Sequence, residues 1–198
     1  TCALPILVAA VVKDFGRIDI LVNCAAQPGG QAKPPSLAEI TNEAFWADMN
    51  VKVLGYLRTA REVAPLMAKQ GGGRIINVSG LAARNTGSTI GSVRNVSVSA
   101  LTKNLADELA PQGISVVCVH PALTRTEKTA GVVERQSKAQ GISAAEVEKK
   151  MGSKNLTGKL ISSEEVADVI VFLASPRAVA VNGDSIAAGG GQPGSIHY

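Results

Sequence analysis

The amino-acid sequence predicts an α/β fold in which a parallel sheet carries helices on both faces. Three short apolar runs have the length and composition of buried strands: "IDILVNCAA" at residues 18–26, "RIINVSG" at 74–80 and "ISVVCVHP" at 114–121. Longer amphipathic segments separate these runs, and right-handed crossovers of that kind join parallel strands. The 198 residues, of which 45% are hydrophobic, suit one well-buried domain over residues 1–198.

The first strand ends in small residues, and a loop rich in glycine and proline follows at residues 28–36. Thr41 has the position of an N-cap for a helix that runs to about Lys69. The glycines at residues 71–73 then end this helix. Apolar residues recur in it at three- and four-residue spacing, which predicts a buried face made of Phe45, Met49, Val53, Leu57, Ala60, Ala64 and Met67.

The rest of the chain continues the alternation. A loop after the second strand leads, near residue 90, into a helix whose core stripe is Val98, Leu101, Leu105 and Leu109. After the third strand, the polar residues 124–159 are predicted to form a lid that contains a helix with a capping box at Ser143 and Glu146. A second capping box, Ser162 and Glu165, opens the last helix, and a final strand lies within residues 183–191.

Charge and cysteine content exclude several classes of protein. The net charge of +4 comes from 20 Lys+Arg and 16 Asp+Glu without a basic cluster, so we expect no nucleic-acid partner. The three cysteines have no paired spacing, which favours buried thiols in a reducing compartment over disulfides or a metal site. The apolar start "ALPILVAAVV" is too short to span a membrane and lacks the flanks of a signal peptide. We therefore expect a cytoplasmic protein with no membrane partner.

Ligands of open parallel sheets bind outside the carboxyl ends of the strands, which directs attention to residues 24–35, 79–91 and 121–159. The segments that surround these strand ends are "FGRIDILVNCAA", "DMNVKVLG", "GGGRIINVSG", "ALTKNLADELAPQGISVVCVHPALTRTE" and "NGDSIAAGGG". In this order and spacing they resemble the short-chain dehydrogenase/reductase family over essentially the whole chain.

The resemblance implies a Rossmann-type, doubly wound parallel sheet in three α/β/α layers. It also implies NAD or NADP as cofactor and hydride exchange with a small-molecule alcohol or carbonyl substrate. The helices that begin after residues 41 and 88 resemble those through which family members form homodimers or homotetramers. Family members begin with a glycine-rich turn that holds the pyrophosphate, and this chain shows no such turn, so the domain is expected to be N-terminally incomplete.

The resemblance also assigns the cofactor side of the cleft. The turn "VNCAA" places Asn23 and Ala25 beside the adenosine half. The segment "PALTRTE" places Pro121 beside the nicotinamide, the backbone of Thr124 at its carboxamide, and the hydroxyl of Thr126 at a phosphate oxygen. The alternative is that these residues form only a close-packed strand end and an ordinary exit from a strand.

The catalytic positions depart from the family pattern. Carbonyl reduction needs a proton donor and a cation near the developing alkoxide. In the family these are a serine and a tyrosine with a lysine four residues later, but Gly80, Gly91 and Asn95 occupy those positions here. Ser79 lies one residue early, and Asn50 resembles the asparagine that holds a water in the proton relay.

Two functions therefore stay open. The first is an NAD(P)-dependent oxidoreductase with a substituted acid, and the second is a catalytically degenerate cofactor-binding or oligomeric scaffold. Arg94 could supply a cation but not a proton, because its guanidinium stays protonated. His120 titrates near neutrality and is a candidate donor, although a lone histidine at a strand end is more often structural.

Overall fold

The computed structural model describes residues 3–27, 33–194 and 196. The first half of the chain contains α1 (Ala3–Phe15), β1 (Ile20–Asn23), α2 (Asn42–Lys69), β2 (Gly73–Val78), α3 (Thr89–Leu109) and β3 (Ile114–Pro121). The second half contains β4 (Thr124–Arg125), α4 (Thr129–Gln140), α5 (Ala144–Gly152), β5 (Ile161–Ser162), α6 (Ser163–Ala174) and β6 (Ser185–Ala188). The predicted loop at 28–36 falls partly outside the described residues.

The main sheet has the order β1-β2-β3-β6, and all its neighbours are parallel. The register aligns Asn23 with Asn77, Asn77 with Cys118, and Cys118 with Ser185. Because the strands run in one direction, their carboxyl ends meet at a single edge of the sheet. A separate two-stranded parallel sheet, which the sequence does not predict, joins β4 to β5.

Consecutive strand residues point to opposite faces of the sheet, which divides the core into two layers. Ile75 and Val116 pack with α2 and α3, together with Ala60, Val63, Met67, Ala106 and Leu109. Ile76 and Val117 pack on the other face with α6, together with Val119, Val166 and Leu173. The predicted three-layer α/β/α arrangement is therefore confirmed. A small separate cluster of Val133, Val147, Met151 and Leu160 joins α4 to α5.

The helix boundaries follow the predicted caps. Thr41 Oγ1 accepts a hydrogen bond from the Ala44 amide at 3.1 Å, and Ser143 and Ser162 each form the predicted capping box. The predicted buried face of α2 is wrong at Leu57, which is 37% exposed, while Phe45, Met49 and Val53 are half-buried. The buried residues there are instead Lys52 and Tyr56, because both side chains find hydrogen-bond partners on the sheet side.

Within the described ranges, none of the helices combines the length and the apolarity that crossing a membrane requires. Helix α1 is the most apolar helix at the start of the chain and has 13 residues.

Replacing Ser88 by alanine is expected to lower the free energy of unfolding by about 1 kcal/mol. Ser88 Oγ accepts the Gly91 amide at 3.1 Å, and alanine would leave that amide at the start of α3 without its cap. Urea unfolding of both proteins measures the difference. Ser97→Ala is the matched control, because the hydroxyl of the half-buried Ser97 donates to Val93 O within the same helix and caps no helix end, so the change in stability should be less than about 0.5 kcal/mol.

Candidate functional site

Buried polar side chains gather where the carboxyl ends of β1, β2 and β3 approach α2 and α3. Each has less than a tenth of its surface exposed, and the set comprises Asn23, Lys52, Asn77, Ser79, Asn95, Thr102 and His120. Polar groups are buried at low cost only when they are hydrogen-bonded. Their partners therefore show which of them support the fold and which are available for chemistry.

A chain of side-chain amides and hydroxyls crosses the sheet below this edge. The Thr59 hydroxyl lies 2.7 Å from Asn23 Oδ1, and Asn23 Nδ2 donates to Asn77 Oδ1 at 2.9 Å. Asn77 Nδ2 in turn donates to Thr102 Oγ1 at 3.0 Å. The side chain of Asn23, which the resemblance placed at the cofactor, is thus engaged at both ends within the protein.

Lys52 is a buried polar residue of this cluster that the sequence does not single out. Its side chain leaves the middle of α2, is only 4% exposed, and directs Nζ to Ser79 O at 2.8 Å and to Asn95 Oδ1 at 3.1 Å. Burial and, to a smaller extent, the nearby positive charge of Arg94 lower the pKa of Lys52 to about 8. Cys118, Asp48 and Cys24 oppose this change only in part.

The carboxylate nearest to Lys52 along α2 belongs to another cation. Asp48 receives two hydrogen bonds from Arg94 Nη1, at 2.7 and 2.9 Å, and the two side chains are 17% and 12% exposed. This ion pair joins α2 to α3 one turn before Lys52. Among the described residues, the ammonium of Lys52 is therefore held by neutral acceptors and by no salt bridge.

Asn50 does not join this cluster. It is exposed, and its Oδ1 accepts a hydrogen bond from Arg58 Nη1 at 2.8 Å on the outside of α2. Lys52 is the residue of α2 that reaches Ser79. A signal for it existed in the sequence, because Lys52, Tyr56 and Ala60 repeat at four-residue spacing. Lysine is so rarely buried that the pattern favoured a surface position.

The structure brings Ser79, Gly80 and Asn95 together, and Gly91 lies in the first turn of α3. Ser79 is 7% exposed. Its hydroxyl donates to Asn95 O at 3.0 Å, so it points at the backbone of α3. A Cβ added at Gly80 would lie 3.2 Å from Asn95 Nδ2. A Cβ added at Gly91 would lie 2.8 Å from Ser88 Oγ, the cap of α3. Both glycines contribute backbone only.

Tyr56 does not replace the missing tyrosine. It follows Lys52 by one helical turn, is 1% exposed, and its hydroxyl donates to Val78 O at 2.9 Å. Burial raises the pKa of Tyr56 well above its ordinary value, so the phenol holds its proton. The other tyrosine, Tyr198, lies outside the described residues.

His120 is engaged at both ring nitrogens. The Gly80 amide donates to His120 Nδ1 at 3.2 Å, and Nε2 lies 3.3 Å from Ser99 Oγ. Because a backbone amide can only donate, Nδ1 must accept, and the contacts assign the ring proton to Nε2. The ring is 1% exposed and holds the backbone of Gly80 against β3.

The remaining predicted residues follow the strand ends. Ala25 is exposed after β1, and Pro121 is partly buried at the end of β3. Thr124 pairs with Ile161 in the small sheet and donates its hydroxyl to Ala122 O at 3.1 Å. Thr126 is exposed, and its hydroxyl accepts the Lys128 amide at 3.4 Å. The described residues contain no group of three or more side chains suited to a metal ion.

Comparison with known proteins places this geometry among reductases. A family model described as enoyl-(acyl carrier protein) reductase matches residues 3–192. The chain is 32% identical over 187 residues to the short-chain reductase protein NovJ of Streptomyces niveus, covering 94% of the chain and 68% of NovJ. It is 31% identical over 183 residues to the NADPH-dependent reductase BacG of Bacillus subtilis, covering 91% and 69%.

Solved structures give the same result. L-sorbose reductase from Gluconobacter frateurii, complexed with NADPH and L-sorbose, superposes with a TM-score of 0.89 at 26% identity and covers 98% of this chain and 73% of its own. The NADPH-dependent reductase YwfH superposes with a TM-score of 0.84 at 29% identity and covers 98% and 74%. The similarity therefore extends over both the sheet and the lid.

Proposed function

Because this chain belongs to the short-chain dehydrogenase/reductase family, we propose that it is an NAD(P)-dependent oxidoreductase that interconverts an alcohol and a carbonyl compound. The parallel sheet and the cluster at its carboxyl edge support this activity. Two of the proteins similar to it are NADPH-dependent reductases by name, so NADPH is the cofactor to test first.

The buried ammonium of Lys52 is the observation that carries the proposal. An ammonium with neutral acceptors is costly to remove from water, and an apolar side chain of the same length would avoid that cost. A scaffold that needs only a packed core gains nothing from this lysine. Its position beside Ser79 and Asn95, where acid–base chemistry is expected, favours an enzyme over the catalytically degenerate alternative.

The strand-end loops suit the proposed cofactor. Ala25 and Ala26 after β1 are exposed and small, so no long side chain blocks a close approach to the backbone there. Asn23 can contribute only its backbone, because its amide is engaged in the chain below the edge. We assign Pro121 and Thr124 to the nicotinamide side and the Thr126 hydroxyl to a phosphate. When bound, the dinucleotide supplies the hydride.

Oligomeric state and location are part of the proposal. Exposed apolar side chains on α2 and α3, among them Trp46 at 60% and Val96 at 50%, support a homodimer or homotetramer formed through these helices. Free thiols at Cys24 and Cys118 support a reducing, cytoplasmic location. The substrate is a small molecule with an alcohol or carbonyl group.

Adding NADPH to the full-length protein is expected to shift the nicotinamide fluorescence, and a panel of ketones and aldehydes should contain at least one that oxidises it. Thr126→Ala should weaken NADPH binding about tenfold by removing one hydrogen bond to a charged group. Ser97→Ala, at a half-buried residue of α3 whose hydroxyl donates to Val93 O of the same helix, should leave it unchanged. Binding without turnover of any carbonyl would favour the scaffold, and absence of binding would contradict both functions.

A further inference from the structure

The two helices that line the site carry the opposite side chains to those expected. The resemblance predicts an amide on α2 and a lysine on α3, at residue 95. In the structure the ammonium comes from α2 at Lys52 and the amide from α3 at Asn95, and Lys52 Nζ lies 3.1 Å from Asn95 Oδ1. The pair is therefore present with its members exchanged between the helices.

We propose that Lys52 is the catalytic proton donor to the substrate oxygen, and that Asn95 orients its ammonium from α3. The inference rests on the oxidoreductase function proposed above and names the acid that the sequence lacked. It differs from the pattern expected from the resemblance, in which a tyrosine donates the proton and the lysine lowers the pKa of that tyrosine.

The hydrogen bonds of the ammonium fix its direction. An ammonium has three protons, and the described residues accept two of them, at Ser79 O (2.8 Å) and at Asn95 Oδ1 (3.1 Å). Gly80, which follows Ser79, has no side chain to cover the group, and a Cβ there would lie 3.2 Å from Asn95 Nδ2. The third proton is left for a substrate oxygen that enters beside Gly80.

The step balances with the cofactor class already named. In the reducing direction the substrate carbon gains a hydride from the reduced nicotinamide dinucleotide, and the π electrons of the carbonyl move to oxygen. The oxygen forms an O–H bond with a proton from Lys52 Nζ, whose N–H bond breaks. Lys52 becomes a neutral amine and regains a proton from solvent, while the dinucleotide ends oxidised.

The surroundings of Lys52 suit a general acid. Donors work best when their pKa lies near the working pH, and burial lowers the pKa of Lys52 to about 8. The charged and titratable groups that interact with it are Asp48 from α2, Arg94 from α3, Cys24 after β1 and Cys118 from β3. Arg94 is the cation among them, and Asp48 neutralises it through their ion pair.

Direct titration tests the acid without measuring activity. The full-length protein is labelled with ¹³C and ¹⁵N in lysine, and the signal absent from Lys52→Met identifies the residue. We expect this signal to titrate near pH 8, below the ordinary lysine value of 10.5. A midpoint for Lys52 above pH 10 would overturn the inference.

An exchange of side chains tests the role in turnover. Lys52→Asn should lower kcat about 10²- to 10⁴-fold with little change in KM for the carbonyl. Lys52→Arg should also lose activity, because the guanidinium keeps a charge but does not release its proton. The double variant K52N/N95K returns an ammonium to the pair from α3, and it should recover at least about tenfold over K52N.

The outcomes separate the inference from the proposed function. Turnover that survives in K52N, or a double variant no better than K52N, would overturn the role of Lys52 and leave the oxidoreductase standing. Failure of the wild-type protein to bind NADPH would overturn the proposed function, and the inference with it. Circular dichroism of each variant checks that the fold is retained.

Discussion

Replacing Lys52 by methionine is expected to remove a charge penalty of about 3 kcal/mol from the folded protein at pH 7, while the loss of the hydrogen bonds to Ser79 O and Asn95 Oδ1 acts in the opposite direction. The pKa of Lys52 falls from 10.5 to about 8 on folding, and each unit corresponds to about 1.4 kcal/mol of preference for the neutral form. Below pH 8 the folded protein must therefore hold a charge that its surroundings disfavour. Methionine has a similar length and no charge, so it removes this penalty.

The pH dependence of this penalty has a definite sign. Between pH 8 and 10.5 the unfolded chain binds more protons at this residue than the folded chain, so the stability of the wild type rises with pH in that window. The stability of Lys52→Met relative to the wild type should therefore fall by about 3 kcal/mol between pH 8 and 10.5 and stay constant above that window. Urea unfolding at several pH values measures it.

Lys69→Met is the matched control for this prediction. Lys69 is exposed at the last turn of the same helix, where its charge favours the helix dipole by less than about 1 kcal/mol. The control should therefore be slightly less stable than the wild type at pH 7. If the difference in stability between Lys52→Met and the wild type does not change between pH 8 and 10.5, the lowered pKa of Lys52 is contradicted.

Replacing Asn77 by alanine is expected to cost about 3 to 4 kcal/mol of stability. Asn77 is fully buried and connects Asn23 Nδ2 to Thr102 Oγ1. Its loss leaves both groups without their partner below the site, and each unsatisfied buried polar group costs about 1–3 kcal/mol. Chemical denaturation at neutral pH measures the change.

Asn104→Ala provides the comparison for Asn77→Ala. Asn104 is exposed, and its amide bonds only to Ala100 O in its own helix at 2.8 Å. Its replacement should change stability by less than about 0.5 kcal/mol. Equal effects at the two asparagines would show that the amide chain does not hold the strand ends together.

Local signals explain why most of the fold was predictable. Strand β3 runs over Ile114–Pro121 as its apolar run predicts, and Thr41, Ser143 and Ser162 begin helices as their cap chemistry predicts. Each of these features depends on residues within a few positions of each other. The small β4–β5 sheet was not predictable in this way, because it joins two-residue strands 37 positions apart in register, Thr124 with Ile161.

The site was only partly predictable for the same reason. The positions of Gly80, Gly91 and Asn95 followed from the order of the strands and helices. The role of Lys52 depends on Ser79 O and Asn95 Oδ1, which lie 27 and 43 residues away along the chain. Periodicity within α2 does not predict such distant partners. The sequence therefore favoured Asn50, whose side chain is exposed in the structure.

The pH profile of kcat/KM for NADPH-dependent carbonyl reduction tests the central claim most directly, with wild type and Lys52→Met measured in parallel. If Lys52 donates the proton, the wild-type rate is level below its pKa of about 8 and falls about tenfold per pH unit above it. The rate of alcohol oxidation should instead rise with pH up to about 8 and be level above it. Lys52→Met should be about 10²- to 10⁴-fold slower and lack the decline near pH 8. The same profile and rate in both proteins would contradict the account.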